Sequence, residues 1–319
     1  MKYRRKKPMI YSNYSFTIPQ EKQVRVIIDT DAKNEADDQY AIVQALLSPK
    51  LDNVGFIAAR YGCLEDSVDR SYAELEKIFD LMGLKKEDML YHGAQSALRD
   101  ELTPEISEGA EFIIKEALKE DERPLFVLFL GGITDLASAY LMEPGIAKRL
   151  TAVWIGGGPY PLGGNEFNLW NDINAANVVF SSPIELWQIP QNVYKQAAVT
   201  LAELEYRVRP QGEIGKYLFE QLDEFNQCEG VRKMDYFTGE RYILGDSPAV
   251  GVLLYGDSAS YEWRQAPRIA SDMTYVHHGV SRPIRVYDQI DHRLLLEDFY
   301  CKLALFAQNG VSRNERDNM

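Results

Sequence analysis

Residues 24–38 read VRVIIDTDAKNEADD, and how this stretch is read decides the fold. VRVII (24–28) is a compact β-branched run, and Ala, Ile, Val and Leu recur in a helix-like stretch over 37–47. A short apolar run that feeds a helix through a polar loop is the opening of a βαβ unit. The pairing repeats downstream. VGFIAA (54–59) precedes an amphipathic segment from Asp66 to Met82. LFVLFL (125–130), apolar at every position, predicts a strand covered on both faces. AVWIG (152–156) and IELWQI (184–189) are further buried-strand candidates, with helical patterns at 105–119, 134–142 and 172–180. Strands alternating with helices imply right-handed crossovers and an open, mostly parallel, Rossmann-like α/β sheet with helices on both faces. No repeat, low-complexity stretch or linker interrupts the pattern. Residues 21–319 therefore read as one α/β domain behind a short basic tail, 1–20. The polar, Tyr-rich region 191–245 is expected to cap or flank the sheet, and 272–308 to form two short strands around SRPIRVYD and a terminal helix.

Composition narrows the function. A net charge of −13 argues against nucleic acid or an anionic membrane as the principal partner. Cys63, Cys228 and Cys301 are too far apart for a CxxC metal motif and too few for a disulfide framework, which fits a reducing compartment. The basic N-terminus lacks the apolar core of a secretory signal, and no run of about 18 apolar residues occurs. The expected location is the cytoplasm.

In open α/β sheets, ligands bind beyond the carboxyl ends of the strands. The loop there carries Asp29, Asp31, Glu35, Asp37 and Asp38. Asp29 and Asp31 point to one side of an extended segment. A helix N-terminus favours a carboxylate by about 0.3–1 kcal/mol, whereas two charges about 4 Å apart repel by roughly 4 kcal/mol at an effective dielectric near 20. A hard divalent cation, Ca²⁺ or Mg²⁺, removes that conflict. Two other readings compete: a solvated turn with Asp37 or Asp38 as a helix cap, and an aspartate-based phosphatase of the haloacid-dehalogenase type. The phosphatase needs a later Lys and acidic pair after other strands, and Asp37-Asp38 comes too early for that pair.

Several segments, in order, resemble the inosine–uridine-type nucleoside hydrolases over nearly the whole chain. VIIDTDAKNEADDQYAI (26–42) is similar to that family's opening strand, DxDPGxDD loop and helix. His92-Gly93-Ala94 looks like its GA segment before the third strand. LFVLFLGGITDLASAYLMEPGIAKRL (125–150) resembles its strand, Gly-rich turn and helix, and TAVWIGGG (151–158) its GGG strand end. GGNEFNLWNDINAANVVF (163–180) and LGDSPAV (244–250) resemble its EFN stretch and the late segment that supplies the last aspartate.

The resemblance implies a calcium-dependent hydrolase that cleaves the N-glycosidic bond of a small-molecule riboside by attack of metal-bound water, and a homo-oligomer. It implies Asp31, Asp38, the carbonyl of Leu130 and Asp246 as calcium ligands, with Asp31 also the general base. It further implies Asp37, Glu166 and Asn168 on ribose hydroxyls, with Asn165 helping. Rival readings stay open: Asp246 before Ser-Pro is also a good helix cap, Glu166 and Asn168 can simply fix a loop, and Gly156–Gly158 can serve packing.

Three departures bear on the substrate. The Asp31–Asp37 loop is two residues longer than the family's and lacks its Pro-Gly, so that Asn34 or Glu35 is expected either in the pocket or at a solvent-facing tip. Arg60-Tyr61-Gly62 stands where the family places a ribose-binding Asn, which brings Arg60 to the sugar face. Gly245 replaces the His that many purine-active members use to protonate the leaving base. Candidates for that acid are Tyr236, Tyr242, Arg241, His277 and His278, and MDYFTGERY (234–242) is a candidate lid. Trp170 and Tyr160 are candidates for base stacking, with core packing the commoner fate. A relative that binds ribose and metal without turnover is the remaining alternative.

Overall fold

A computed structural model of the chain describes residue 11 and residues 13–62, 64–228, 239–279 and 281–317. Twelve strands occur among the described residues: β1 (Val24–Thr30), β2 (Leu51–Ala58), β3 (Leu90–His92), β4 (Leu125–Phe129), β5 (Thr151–Ile155), β6 (Glu185–Ile189), β7 (Ala198–Thr200), β8 (Arg241–Ile243), β9 (Ala259–Gln265), β10 (Arg268–Ile269), β11 (Tyr275–Val276) and β12 (Pro283–Ile290). Eight of them form the central sheet in the order β3-β2-β1-β4-β5-β6-β12-β9. The pairings from β3 to β12 are parallel, and β9 alone is antiparallel, at the outer edge. Two small antiparallel ribbons, β7–β8 and β10–β11, lie outside this sheet.

The apolar runs become buried strands because each face of the sheet has its own core. Val26 and Ile28 join one cluster and Ile27 the other; Leu128 faces the first, Val127 and Phe129 the second. Alternation along the strand sends neighbouring side chains to opposite faces. Helices Asp38–Leu46, Ser67–Leu81, Gly212–Gln227 and Ser247–Leu254 cover the first face; Glu108–Ala117, Thr134–Met142 and Ile173–Ser181 cover the second. Tyr11 and Tyr14, within the expected tail, reach the body: Tyr14 donates to the Leu47 carbonyl and Tyr11 packs on Phe306.

Strand order reverses between β1 and β4, so the crevice for a ligand opens beyond Thr30 and Phe129. The opposite end of these strands handles charge differently. Buried Arg25 reaches Glu116 at 3.3 Å and Asp121 at 3.7 Å, and Arg123 holds Asp52 at 2.6 Å. Charges at the amino ends are paired. No helix among the described residues is long and apolar enough to cross a membrane. Cys228 and Cys301 are exposed free thiols.

Candidate active site

Beyond β1 the chain turns sharply. Asp31 and Ala32 are buried, Lys33 adopts a left-handed backbone (φ 76°), and the helix Asp38–Leu46 begins five residues later. Asn34 secures this turn from within: its amide donates to the Asp31 carbonyl at 2.8 Å and to Ser71 Oγ at 3.2 Å. Its amide nitrogen is therefore committed to its own loop and to the helix Ser67–Leu81, while its Oδ1 is buried without a hydrogen-bond partner. Glu35, the next residue, faces the acidic cluster.

Asp37 and Asp246 occupy the N-cap positions of two helices, Asp38–Leu46 and Ser247–Leu254, yet neither side chain makes a capping hydrogen bond. Asp37, Asp38 and Asp246 instead converge, with one carboxylate oxygen of each within 4.8 Å of the others, all buried. Thr30 donates to Asp38 Oδ1, whereas Asp38 Oδ2 and Asp37 Oδ1 are buried without a hydrogen-bond partner. Burial costs an unpartnered carboxylate heavily, and among the described residues no Lys or Arg forms an ion pair with these groups. Capping fails as an explanation of these side chains. An all-oxygen donor set of this kind fits a hard divalent cation.

Electrostatics measure the conflict. Burial, reinforced by Asp38 and Glu35, pushes the Asp31 carboxyl well above its ordinary range. Burial and then Glu35 and Asp38 do the same to Asp37; burial and then Asp37 and Asp38 do so to Asp246. Glu35 is pushed up to about 7 by burial, Asp38 and Glu166. Asp38 rises only to about 6, because the Thr30 hydroxyl partly offsets its burial.

Asp31 adjoins this group from the β4 side. Gly131, just past β4, is so close that a β-carbon there would meet Asp31 Oδ1 at 2.7 Å. Leu130, between them, is buried, and its carbonyl accepts the Asn168 amide at 2.7 Å; the same amide donates to the Ile155 carbonyl at 2.9 Å. Asn168 thus ties the ends of β4 and β5 together. Glu166 caps the helix Phe167–Asn171, accepting from Leu169 N at 2.8 Å and Asn168 N at 3.2 Å, and from Gly157 N at 2.8 Å. Tyr194 adds its hydroxyl to Glu166 at 2.8 Å. Asn165 is exposed, and Arg60 donates to the Asn171 carbonyl at 3.0 Å at the rim.

The candidates for a leaving-group acid lie as follows. A β-carbon on Gly245 would meet the Tyr194 ring at 3.1 Å and Asp37 Oδ2 at 3.3 Å, so Tyr194 takes the space a larger residue would need. Tyr242, on β8, lies beside Asp37 and Glu35, and burial raises its hydroxyl well above 10. Arg241, His277 and His278 are exposed; His277 Nε2 donates to the Pro161 carbonyl, and its ring packs on Tyr160. Tyr236 and residues 229–238 lie outside the described residues. Trp170 is half-exposed and packs on Phe167, while Tyr160 lies against Tyr275. Tyr194 escaped the sequence reading because nothing in Gln191-Asn192-Val193-Tyr194 marks it; only the docking of that short helix brings it to Glu166.

Acidic residues gathered at the strand-order reversal of an α/β sheet make a candidate site for a divalent ion, and comparison supplies the family. The family model described as "Inosine-uridine preferring nucleoside hydrolase" matches residues 26–292, and the chain belongs to that family. It is an N-glycosyl hydrolase, and ribonucleosides fit as its substrates. The chain is 24% identical over 226 residues to a probable uridine nucleosidase 2 of Arabidopsis thaliana, covering 63% of this chain and 69% of that one. It is 27% identical over 272 residues to the pyrimidine-specific ribonucleoside hydrolase RihA of Salmonella paratyphi A, covering 76% and 80%. The purine-preferring ribonucleoside hydrolase of Gardnerella vaginalis has the same fold, with a TM-score of 0.75 at 19% identity over 89% of this chain and 99% of that one.

Proposed function

We propose that this chain is a calcium-dependent hydrolase of the N-glycosidic bond of a ribonucleoside or related riboside. One observation carries the proposal: buried, unpartnered carboxylate oxygens of Asp37 and Asp38 meet Asp246 at two helix starts without capping either helix.

Asp31, Asp38, Asp246 and the Leu130 carbonyl would hold the ion, and their all-oxygen chemistry favours calcium or magnesium over zinc. When bound, calcium supplies Lewis acidity and fixed positive charge at that position, which also keeps Asp31 ionised. Asp31 then takes the proton from the attacking water as its oxygen approaches C1′. The sugar becomes oxocarbenium-like, and the carboxylate of Glu166 stabilises that positive charge. Asp37, close to Asp38 and with a free oxygen, accepts a ribose hydroxyl. Asn168, spent on two carbonyls, acts by fixing the Leu130 oxygen in addition to any hydroxyl it meets. Subunit association belongs to the same reading.

The test is release of reducing sugar from a panel of ribosides, with calcium and with a chelator. Turnover lost on chelation and restored by calcium supports the reading. Turnover indifferent to chelation removes the ion from it, and release of phosphate from phosphate esters would favour the phosphatase instead.

A further inference from the structure

The loop Asp31–Asp37 is built to deliver one extra carboxylate to the site. Lys33 reverses the backbone with φ 76°, a conformation that costs a non-glycine residue energy and persists only where its surroundings impose it. Asn34 is pinned below by Asp31 O and Ser71, and Ser71 is itself tied to the Ala59 and Ser67 carbonyls. Glu35, half-buried, follows directly on this turn, and Asp31, Asp37, Asp38, Asp246 and Glu166 all interact with it electrostatically. Six carboxylates then share the pocket, where a single divalent ion neutralises two charges. No Lys or Arg among the described residues pairs with them.

The same pocket lacks an imidazole. Gly245 leaves no side chain, the Tyr194 ring fills the adjoining space, and the Tyr194 hydroxyl is spent on Glu166. The four histidines lie elsewhere: His92 stacks on Tyr72, His277 and His278 are exposed, and His292 opens the terminal helix. Excess negative charge and no imidazole acid call for a particular kind of leaving group.

We infer that the preferred substrate is a riboside whose base carries a fixed positive charge, such as an N7-alkylated purine or pyridinium riboside, with Glu35 as its counter-charge. The inference rests on the N-ribohydrolase reading above. Water oxygen bonds to C1′ and its proton passes to Asp31. The C1′–N bond breaks with its electron pair returning to the ring nitrogen, which discharges the cation, so the base leaves neutral and takes no proton. A neutral nucleoside would instead leave as an anion unless protonated.

The test compares 7-methylguanosine with guanosine on the full-length calcium-loaded chain, each kcat/KM divided by the spontaneous hydrolysis rate of that riboside. The wild type should favour the cation by about tenfold or more on this normalised scale, as a charge partner within a few ångströms predicts. Glu35→Gln should reduce that ratio by about tenfold, and Glu35→Asp by less. Equal or better normalised cleavage of guanosine by the wild type, or an unchanged ratio in a folded Glu35→Gln protein, overturns the charge inference alone. The wild-type comparison decides by itself if the variant does not fold. Cleavage of neither compound, nor of nicotinamide riboside, uridine, cytidine or inosine, overturns the N-ribohydrolase reading as well.

Discussion

The carboxylate of Asp31 lies against the α-carbon of Gly131, where a β-carbon would sit 2.7 Å from Oδ1 and 2.9 Å from Oδ2. At Gly132 the nearest side chain, Asn171, would be 3.3 Å away. Gly131→Ala must therefore displace Asp31, whereas Gly132→Ala asks Asn171 to give by only a few tenths of an ångström. The expected outcome is a fall in kcat of at least about tenfold for the first substitution, and a much smaller change for the second, in steady-state ribose release on proteins of equal thermal stability. Equal activities would show that Asp31 tolerates displacement and is not the base.

Asp31→Asn keeps shape and removes the proton acceptor. Loss of a positioned general base lowers kcat by about 10²–10⁴-fold. Single-turnover ribose release on the calcium-loaded variant checks this, and a variant within a few-fold of wild type assigns the proton to another group.

Stability of the metal-free chain should run against the usual direction. Glu35 and Asp38 have folded-state values raised to about 7 and about 6. A raised carboxyl pKa contributes stability that is complete below the unfolded value, roughly 4, and is lost as pH rises through the folded one. In chelator, thermal unfolding should thus occur at lower temperature at pH 7.5 than at pH 5. Calcium added at pH 7.5 should restore the difference, by about 2.7 kcal/mol at a hundred times its Kd. A metal-free protein that is more stable at pH 7.5 would contradict the crowding of carboxylates.

Arg25→Met tests the far end of the sheet. The guanidinium is buried against Glu116 and Asp121, which keep Lys119 and Arg123 as partners, so its removal should cost about 1–3 kcal/mol. Urea unfolding should report that loss while kcat below the transition stays near wild type. A drop in kcat that matches the drop in stability would mean that the two ends of the sheet are coupled.

The sheet was readable because its strands are buried on both faces. LFVLFL and AVWIG carry no polar residue, and Thr134–Met142 emerged with the expected bounds. β9 went unread: of its seven residues six are exposed, so ASYEWRQ offers no apolar signature. β3, three residues long, was also too short to register, and His92 ends that strand where the resemblance placed it before one. In the site, the spacing of Asp31, Asp37 and Asp38 announced crowded carboxylates, and the Ser-Pro after Asp246 announced a helix start. Which side chains turn inward was beyond reach of the sequence. Asn34 and Glu35 are neighbours in the same polar loop, and only the folded turn at Lys33 shows that the amide is buried against Ser71 while the acid interacts electrostatically with the cluster. Asn168 and Glu166 likewise revealed their many backbone partners only in three dimensions.

β9 is the last strand in the sheet order, so its outer row of amide and carbonyl groups faces away from β12. Its Gln265 carbonyl accepts from the Tyr160 hydroxyl, and an edge row of this kind is a template for recruiting another extended chain. Here the ion pair of Glu262 with Arg264 straddles Trp263 along that margin. An incoming strand would have to strip water from both charges to dock, which discourages fibre-like stacking and leaves the margin open at little hazard to solubility.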